Sequence, residues 1–341
     1  MFISILHQVE AFKSIYRCSI KGGFMSSTET LEIKNYIGLT GDVPIRFIAS
    51  DVDGTLVNDA KSIDPEVVNA VRAARESGIR VAIASGRAWH EMDDIIEAMP
   101  CLRYFVCTNG AYVMDKGEQK ELLHITIDKT RALGLVRKLM NYSVFVEAYV
   151  KAEIFGQYPV NGNEMAQAEH FFRPNIRPFI LKTRTMVPNL IAHLESLPEG
   201  PEKIQIFYGD EAISKRILTD LRDEFQGAAM DGKGRERFYD VLESSEGNLE
   251  FVLPHTTKGT AVEALSNHWG YTADEVMTIG DSENDLSMIR FAGASVAMGN
   301  ARDNVKAAAR YETMDNNHCG VARALYSAIA YNHELEQVHT R

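Results

Sequence analysis

The sequence predicts an α/β protein: a doubly wound parallel sheet interrupted by an inserted α+β domain. Three observations carry that prediction. Short apolar runs alternate with amphipathic stretches toward both ends of the chain, which is how βαβ units read. The first three of these runs stop at Asp51, Ser85 and Asn109, small or polar residues of the kind that face the crevice beyond the carboxyl ends of parallel strands. The middle of the chain breaks this rhythm, with strand-like runs following one another closely. The length of 341 residues fits about two domains at roughly 150 residues each.

A strand at 45–49 continues to Ser50 and Asp51. In the helix after it, Asp64 is the cap, Pro65 suits the first position, Ile63 can staple to Val68, and Gly78 ends it. A run at 79–84 stops at Ser85-Gly86-Arg87, a helix-like stretch reaches Met99, and a run at 104–106 ends near Thr108-Asn109-Gly110. In the middle, 144–149, 154–158, 179–181, 203–208 and 238–242 read as strands, and 190–197 and 213–225 as helices. Ile213, Ile217, Leu221 and Phe225 recur every four residues and make one apolar stripe. The first rhythm is read as returning at 249–253. A helix then runs from Lys258 to Trp269 with Gly270 beyond it, and a strand at 276–279 leads into Gly280-Asp281. A helix at 286–292, a strand at 295–298 and two further helices complete the chain.

Four segments result: an N-terminal extension over 1–43 without assigned function, a first core segment over 44–125, the insertion over 126–247, and a second core segment over 248–341. Residues 1–24 mix apolar and basic side chains without a signal-peptide core. Met25, before Ser26-Ser27-Thr28-Glu29, reads as an alternative start.

Composition excludes several classes. A hydrophobic share of 45% with 24% charged residues is that of a globular protein, not of a disordered, collagenous or coiled-coil chain. The formal charge of −11 opposes nonspecific nucleic-acid binding, and no apolar run reaches the ~18 residues of a membrane span. The four cysteines, 18, 101, 107 and 319, form no C-x-x-C pair and no zinc spacing, which reads as reduced thiols of the cytoplasm.

Four constellations carry chemistry. Asp51-Val52-Asp53-Gly54-Thr55-Leu56 places two carboxylates two residues apart at a strand end, before a glycine that permits a sharp turn. On its own this is equally a turn with solvated aspartates. It is not an EF-hand, because Gly54 is the fourth residue of the motif and Leu56 the sixth. Gly280-Asp281-Ser282-Glu283-Asn284-Asp285 adds Asp281 and Asp285 near a helix start, where acids also serve as plain caps. Two such clusters at the strand ends of one sheet repel unless a cation neutralises them, and Mg²⁺ is a hard cation that carboxylate oxygens suit. Ser85-Gly86-Arg87 offers a hydroxyl and backbone N–H groups to an anion, but is also a common turn. Lys258 stands at a helix start, where it opposes the helix dipole and suits an anion instead. Thr256-Thr257-Lys258-Gly259-Thr260 lacks the glycine spacing of a P-loop.

In this order the four pieces resemble the haloacid-dehalogenase-like (HAD) phosphohydrolases, from about Ile45 to Leu325. The pieces are DVDGTL at 51–56, SGR at 85–87, the lysine at 258 and GDSENDLSMI at 280–289. The insertion lies between TNGA at 108–111 and LEFVLPHTTKGTAVEAL at 249–265. With residues 300–304 and CGVARAL at 319–325, it resembles the Cof-type phosphatase branch, with a Rossmann-like core and a large type-two α/β cap.

The resemblance implies a mechanism. Asp51 attacks phosphorus to form an aspartyl-phosphate, while Asp53 protonates the leaving alcohol and then activates water. Mg²⁺ is implied on Asp51, the backbone carbonyl of Asp53, and Asp281, with Asp285 as a further ligand or the holder of a metal-bound water. Ser85 and Lys258 are implied to bind the phosphoryl oxygens, Gly86 and Asn284 to line the pocket, and Arg87 and Asn109 to stand at the crevice edge. The insertion would act as a cap that closes over the crevice and sets specificity. Tyr149, Tyr208 and Arg237 are candidates there, each also readable as core or solvated surface; His255 reads as a bystander.

The function expected is a cytoplasmic, Mg²⁺-dependent phosphatase for a small phosphorylated metabolite such as a sugar phosphate or pyridoxal phosphate, with no nucleic-acid or membrane partner. A phosphomutase or phosphotransferase, or a noncatalytic phosphometabolite sensor, remain as alternatives. The sequence leaves monomer against homodimer open.

Overall fold

The computed structural model describes residues 33–151, 153–159, 164–174, 176–222, 229–230, 234–235, 238–242 and 247–339. The 1–24 segment, Met25, Cys18, Phe225 and Arg237 lie outside the described residues.

In chain order the strands and α-helices begin β1 (Phe47–Ser50), α1 (Pro65–Glu76), β2 (Arg80–Ala84), α2 (Asp93–Ala98), β3 (Tyr104–Cys107), β4 (Tyr112–Asp115), β5 (Lys120–His124) and α3 (Lys129–Leu139). Next come β6 (Phe145–Val150), β7 (Glu153–Gln157), α4 (Glu164–Phe171), α5 (Arg177–Thr183), β8 (Thr185–Met186), α6 (Leu190–Ser196), β9 (Lys203–Phe207), α7 (Glu211–Asp220), β10 (Ala229–Met230), β11 (Gly234–Arg235), β12 (Asp240–Leu242) and β13 (Asn248–Val252). The last are α8 (Lys258–His268), β14 (Val276–Gly280), α9 (Leu286–Phe291), β15 (Ala294–Ala297), α10 (Asp303–Ala308), β16 (Tyr311–Glu312) and α11 (Gly320–His339). The described residues fall into two compact units: one holds those up to 84, 95–104 and 262–339, the other those of 85–94 and 105–261.

In the first unit the strands lie in the order β16-β15-β14-β1-β2, all parallel. β1 is buried along its whole length, as a central parallel strand with both faces covered should be. Its register sets Ser50 beside Ile279, and the Asp51 amide donates to the Ile279 carbonyl at 2.9 Å. The carboxyl ends of β1 and β14 are therefore level, which brings their two acidic loops side by side. The start of α1 is as its sequence predicts: the Asp64 side chain accepts from the Glu66 amide at 2.8 Å, and Pro65 is the first helical residue. Gly78 follows the helix at φ +85°, a backbone that glycine adopts freely. Tyr326 of α11 donates to Glu66, whose carboxyl burial pushes above its usual range.

In the second unit a six-stranded sheet runs β12-β13-β9-β6-β7-β8, antiparallel except at β7–β8. Side chains alternate across it. One face sends Val146, Ala148, Ile204, Ile206, Leu249 and Phe251 into a core with residues of α3, α6 and α7. The other carries Glu147, Tyr149, Lys203, Gln205 and Glu250, all buried. Tyr208 belongs to the apolar core, the packing alternative named for it.

Two sequence readings need correction. Residues 179–181 form no strand; they lie in α5, where Pro178 occupies an early position and Phe179 and Leu181 stay exposed. Three apolar residues in a row do not distinguish the two states. Residues 249–253 do not resume the parallel rhythm: β13 pairs antiparallel with β9 and β12. A strand buried on both faces shows no alternation to say which sheet it joins.

His124, at the end of β5, has Nε2 2.7 Å from buried Glu202 and Nδ1 3.2 Å from Glu199. The Glu202 hydrogen bond holds its pKa above the usual histidine value, against a desolvation that lowers it; the charges of Glu202, Glu199 and Glu121 act in the same upward direction. A raised folded-state pKa stabilises fully below the unfolded value and is lost as pH climbs through the folded one. His124→Gln should therefore lower the melting temperature more at about pH 6 than at about pH 9. Equal losses at both pH values would contradict this pairing.

Candidate active site

The first unit assembles the acidic cluster. Asp51, directly after β1, and Asp285 are buried, and Asp281 is half-buried; one carboxylate oxygen from each lies within 4.8 Å of the others. The loop after Asp51 turns tightly, with the Thr55 and Val57 amides both donating to the Val52 carbonyl. Gly54 takes φ +84°, and a Cβ there would stand 2.6 Å from Asp281 Oδ2. The Thr55 hydroxyl donates to Asp281 Oδ1 at 3.2 Å, a contact that joins the two acidic motifs. Asp53 is exposed beside this turn.

Asp285 has a structural duty as well. Its Oδ2 accepts from the backbone amides of Asp281 and Ser282, both at 3.0 Å, and so shapes the turn that presents Asp281. Gly280 leaves it room, since a Cβ there would meet Asp285 at 2.6 Å. Asn284 is half-buried in the same turn, its Oδ1 accepting from the Ser282 hydroxyl at 2.9 Å. Asn300 donates to the Gly54 carbonyl at 2.8 Å, and Asn316 to the Val57 carbonyl at 3.1 Å, so two side-chain amides tie down the loop that carries Asp51 and Asp53.

Buried carboxylates crowded this closely need a compensating cation, and an all-oxygen donor set suits a hard one. The residues therefore fit Mg²⁺. Gly54→Ala should displace Asp281, adding a Cβ clash to a strained backbone. A loss in kcat/KM on the order of 10²-fold is expected, with a raised Mg²⁺ half-saturation. Wild-type Mg²⁺ dependence in that variant would contradict the placement.

The second unit holds the anion-binding candidates. Ser85 is buried just beyond β2, and its Oγ accepts from the Arg87 amide at 3.2 Å. Gly86 lies against Asn109: a Cβ at Gly86 would stand 3.1 Å from Asn109 Oδ1. Thr108, Asn109 and Gly110 all have positive φ, at +51°, +53° and +103°. The two non-glycine residues cost of order 1–3 kcal/mol each in that region. The turn is held by hydrogen bonds that the Thr108 amide donates to the Arg87 carbonyl and the Asn109 amide to the Ser85 carbonyl, at 2.8 and 2.9 Å. Gly110 is needed because a Cβ would lie 2.2 Å from the Thr257 carbonyl oxygen.

Lys258 opens α8 and is only 1% exposed. Ahead of it the Thr260 hydroxyl accepts from the Thr257 amide at 3.0 Å. Arg87 donates to Asp94 at 3.2 Å and lies over the Phe179 ring. The Tyr149 hydroxyl stands among Glu147, Gln205 and Arg184. His255 sits in a loop at φ +65°. Sequence reasoning does not reach the roles of Thr55, Asn300 and Asn316. Thr55 lies inside the quoted motif, whereas no spacing rule connects the two asparagines with a turn some 250 residues away.

The fold, with these motifs at its strand ends, is that of a known family. The model of the haloacid dehalogenase-like hydrolases matches residues 48–325, and the chain belongs to that family, in its Cof-type phosphatase branch of phosphoric monoester hydrolases. Phosphatase YwpJ of Bacillus subtilis is 31% identical over 290 residues, 82% of this chain and 99% of that protein. The 5-amino-6-(5-phospho-D-ribitylamino)uracil phosphatase YcsE of the same organism is 29% identical, over 83% of this chain and 96% of its own. The solved structure of a haloacid dehalogenase-like hydrolase from B. subtilis superposes with a TM-score of 0.68 at 26% identity, covering 82% of this chain and 99% of that one. Among the described residues no helix is long and apolar enough to cross a membrane.

Proposed function

We propose that this protein is a Mg²⁺-dependent phosphatase that hydrolyses small phosphorylated metabolites through an aspartyl-phosphate on Asp51. The observation that carries the reading is the buried Asp51 at the end of β1 with Asp281 and Asp285 within 4.8 Å. Asp51, Asp281 and the Asp53 carbonyl would hold the cation, with Asp285 a further ligand or the anchor of its water. When bound, Mg²⁺ supplies charge neutralisation for the phosphoryl oxygens.

In the first step an Asp51 carboxylate oxygen attacks phosphorus, the P–O bond to the alcohol breaks, and Asp53 gives its proton to the departing oxygen. In the second, Asp53 takes a proton from water, the water oxygen attacks phosphorus, and the bond to Asp51 breaks. The exposure of Asp53 suits a group that meets both alcohol and water. Ser85 and Lys258 bind the transferred group, as a hydroxyl and a point charge, and Gly86 and Asn284 complete the phosphate pocket.

The insertion, residues 126–247, is read as the specificity cap between the core segments 44–125 and 248–341. Sugar phosphates and pyridoxal phosphate are the substrate classes favoured, and the activity named for the ribitylaminouracil phosphatase supports a small phosphorylated substrate. A cytoplasmic location is consistent with Cys101, Cys107 and Cys319 standing outside any disulfide. Phosphate release should be screened over a metabolite panel with and without EDTA. Release from one or a few small monoesters, abolished by EDTA and restored by Mg²⁺, is expected. No release from any member, or release indifferent to EDTA, would overturn the reading.

A further inference from the structure

The polar face of the six-stranded sheet buries an ion pair that the reaction as described does not use. Lys203 of β9 and Glu250 of β13 are 1% and 4% exposed, with Nζ 3.0 Å from Oε1. The Lys203 ammonium also lies 4.0 Å from the centroid of the Tyr149 ring. Burying two charges costs desolvation that a pair regains only with good geometry and further hydrogen bonds, so such a pair is weak evidence of a purely stabilising role. The further bonds here lead to one place. Asn109 Nδ2 donates to Glu250 Oε2 at 3.1 Å, and Lys203 Nζ stands 3.5 Å from the Gly86 carbonyl. The Asn109 amide donates to the Ser85 carbonyl, and its side chain packs against Gly86. The ring therefore closes: Lys203 to Glu250, Glu250 to Asn109, Asn109 to Ser85 and Gly86, and Gly86 back to Lys203.

We infer that Lys203 and Glu250 are positioning residues for the anion-binding loop: acting through Asn109, they hold Ser85 and Gly86 in the conformation that receives a phosphoryl group. The inference rests on the assignment of Ser85 and Gly86 to phosphate binding. Asn109 is the link because its left-handed backbone must be held in place and its amide aims at Glu250. Lys203 meets the same carboxylate at its other oxygen, Oε1. Removing Lys203 alone leaves a buried anion, whereas removing both charges, with Glu250→Gln, leaves a side-chain amide oxygen that still accepts from Asn109.

The test uses inorganic phosphate as a competitive inhibitor of p-nitrophenyl phosphate hydrolysis by the full-length enzyme. Lys203→Met should raise the phosphate inhibition constant about tenfold or more. Asn109→Gly should do the same, with no backbone strain introduced at that φ. Mg²⁺ half-saturation should stay at the wild-type value, and kcat should change less than KM. The double variant Lys203→Met/Glu250→Gln should recover some of the loss. The loss should be equal for p-nitrophenyl phosphate and for a sugar phosphate, because a loop that binds phosphate does not sense the leaving group. Ser85→Ala is the control. If it raises the inhibition constant while Lys203→Met and Asn109→Gly leave it unchanged, the inference is overturned and the loop assignment stands. A loss confined to one leaving group also overturns it, since the pair would then touch the alcohol. If Ser85→Ala has no effect, the loop assignment falls and this inference with it. Should Lys203→Met not fold, Asn109→Gly decides alone.

Discussion

Asp51→Asn is expected to abolish phosphate release, with a fall in kcat of at least ~10⁴-fold, while the protein folds normally. The substitution is nearly isosteric, so the backbone bond from residue 51 to the Ile279 carbonyl, at 2.9 Å in the wild type, should survive. On the proposed mechanism, what disappears is the nucleophile: an amide oxygen lacks the charge to displace an alkoxide from phosphorus. One of three clustered carboxylates disappears as well, so Mg²⁺ affinity should fall too. The measurement is p-nitrophenyl phosphate turnover with circular dichroism as the folding control. Retained turnover in a folded variant would remove Asp51 from the nucleophile's role.

Asp53→Asn should separate metal binding from catalysis. The residue is assigned to offer Mg²⁺ its backbone carbonyl, which the substitution keeps, while its carboxyl moves protons. The Mg²⁺ half-saturation should stay close to wild type while kcat drops by about 10²–10⁴-fold. The drop should be smaller for a good leaving group in the first step, because p-nitrophenolate departs without a proton and a sugar alkoxide does not. A variant that loses Mg²⁺ affinity along with turnover would mark the Asp53 side chain as a metal ligand instead of an acid and base.

The legible regions of the fold are those fixed by local chemistry. Asp64, Pro65 and Gly78 each have a backbone reason for their places, so α1 is readable at both ends. The acidic loops are readable because strand-end aspartates flanked by Gly54 and Gly280 are a short-range pattern, and the glycines prove to be close approaches to Asp281 and Asp285. The illegible regions depend on partners distant in sequence. β13 reads as any buried apolar strand until β9 and β12 pair with it. Residues 179–181 are apolar enough for a strand, and Pro178 places them in a helix instead. The Lys203–Glu250 pair sits on an alternating strand face that ordinarily meets solvent, and its burial is a tertiary fact.

The central claim is that phosphorus is transferred to Asp51 before it reaches water. Enzyme and substrate are mixed with Mg²⁺, quenched in acid within the first turnovers and treated with borohydride, which reduces an acyl phosphate to an alcohol. Peptide mass analysis then locates the reduced residue. The account predicts homoserine at position 51, dependent on substrate and absent in Asp51→Asn. Phosphate release with residue 51 unmodified, or reduction at another carboxylate, would contradict it.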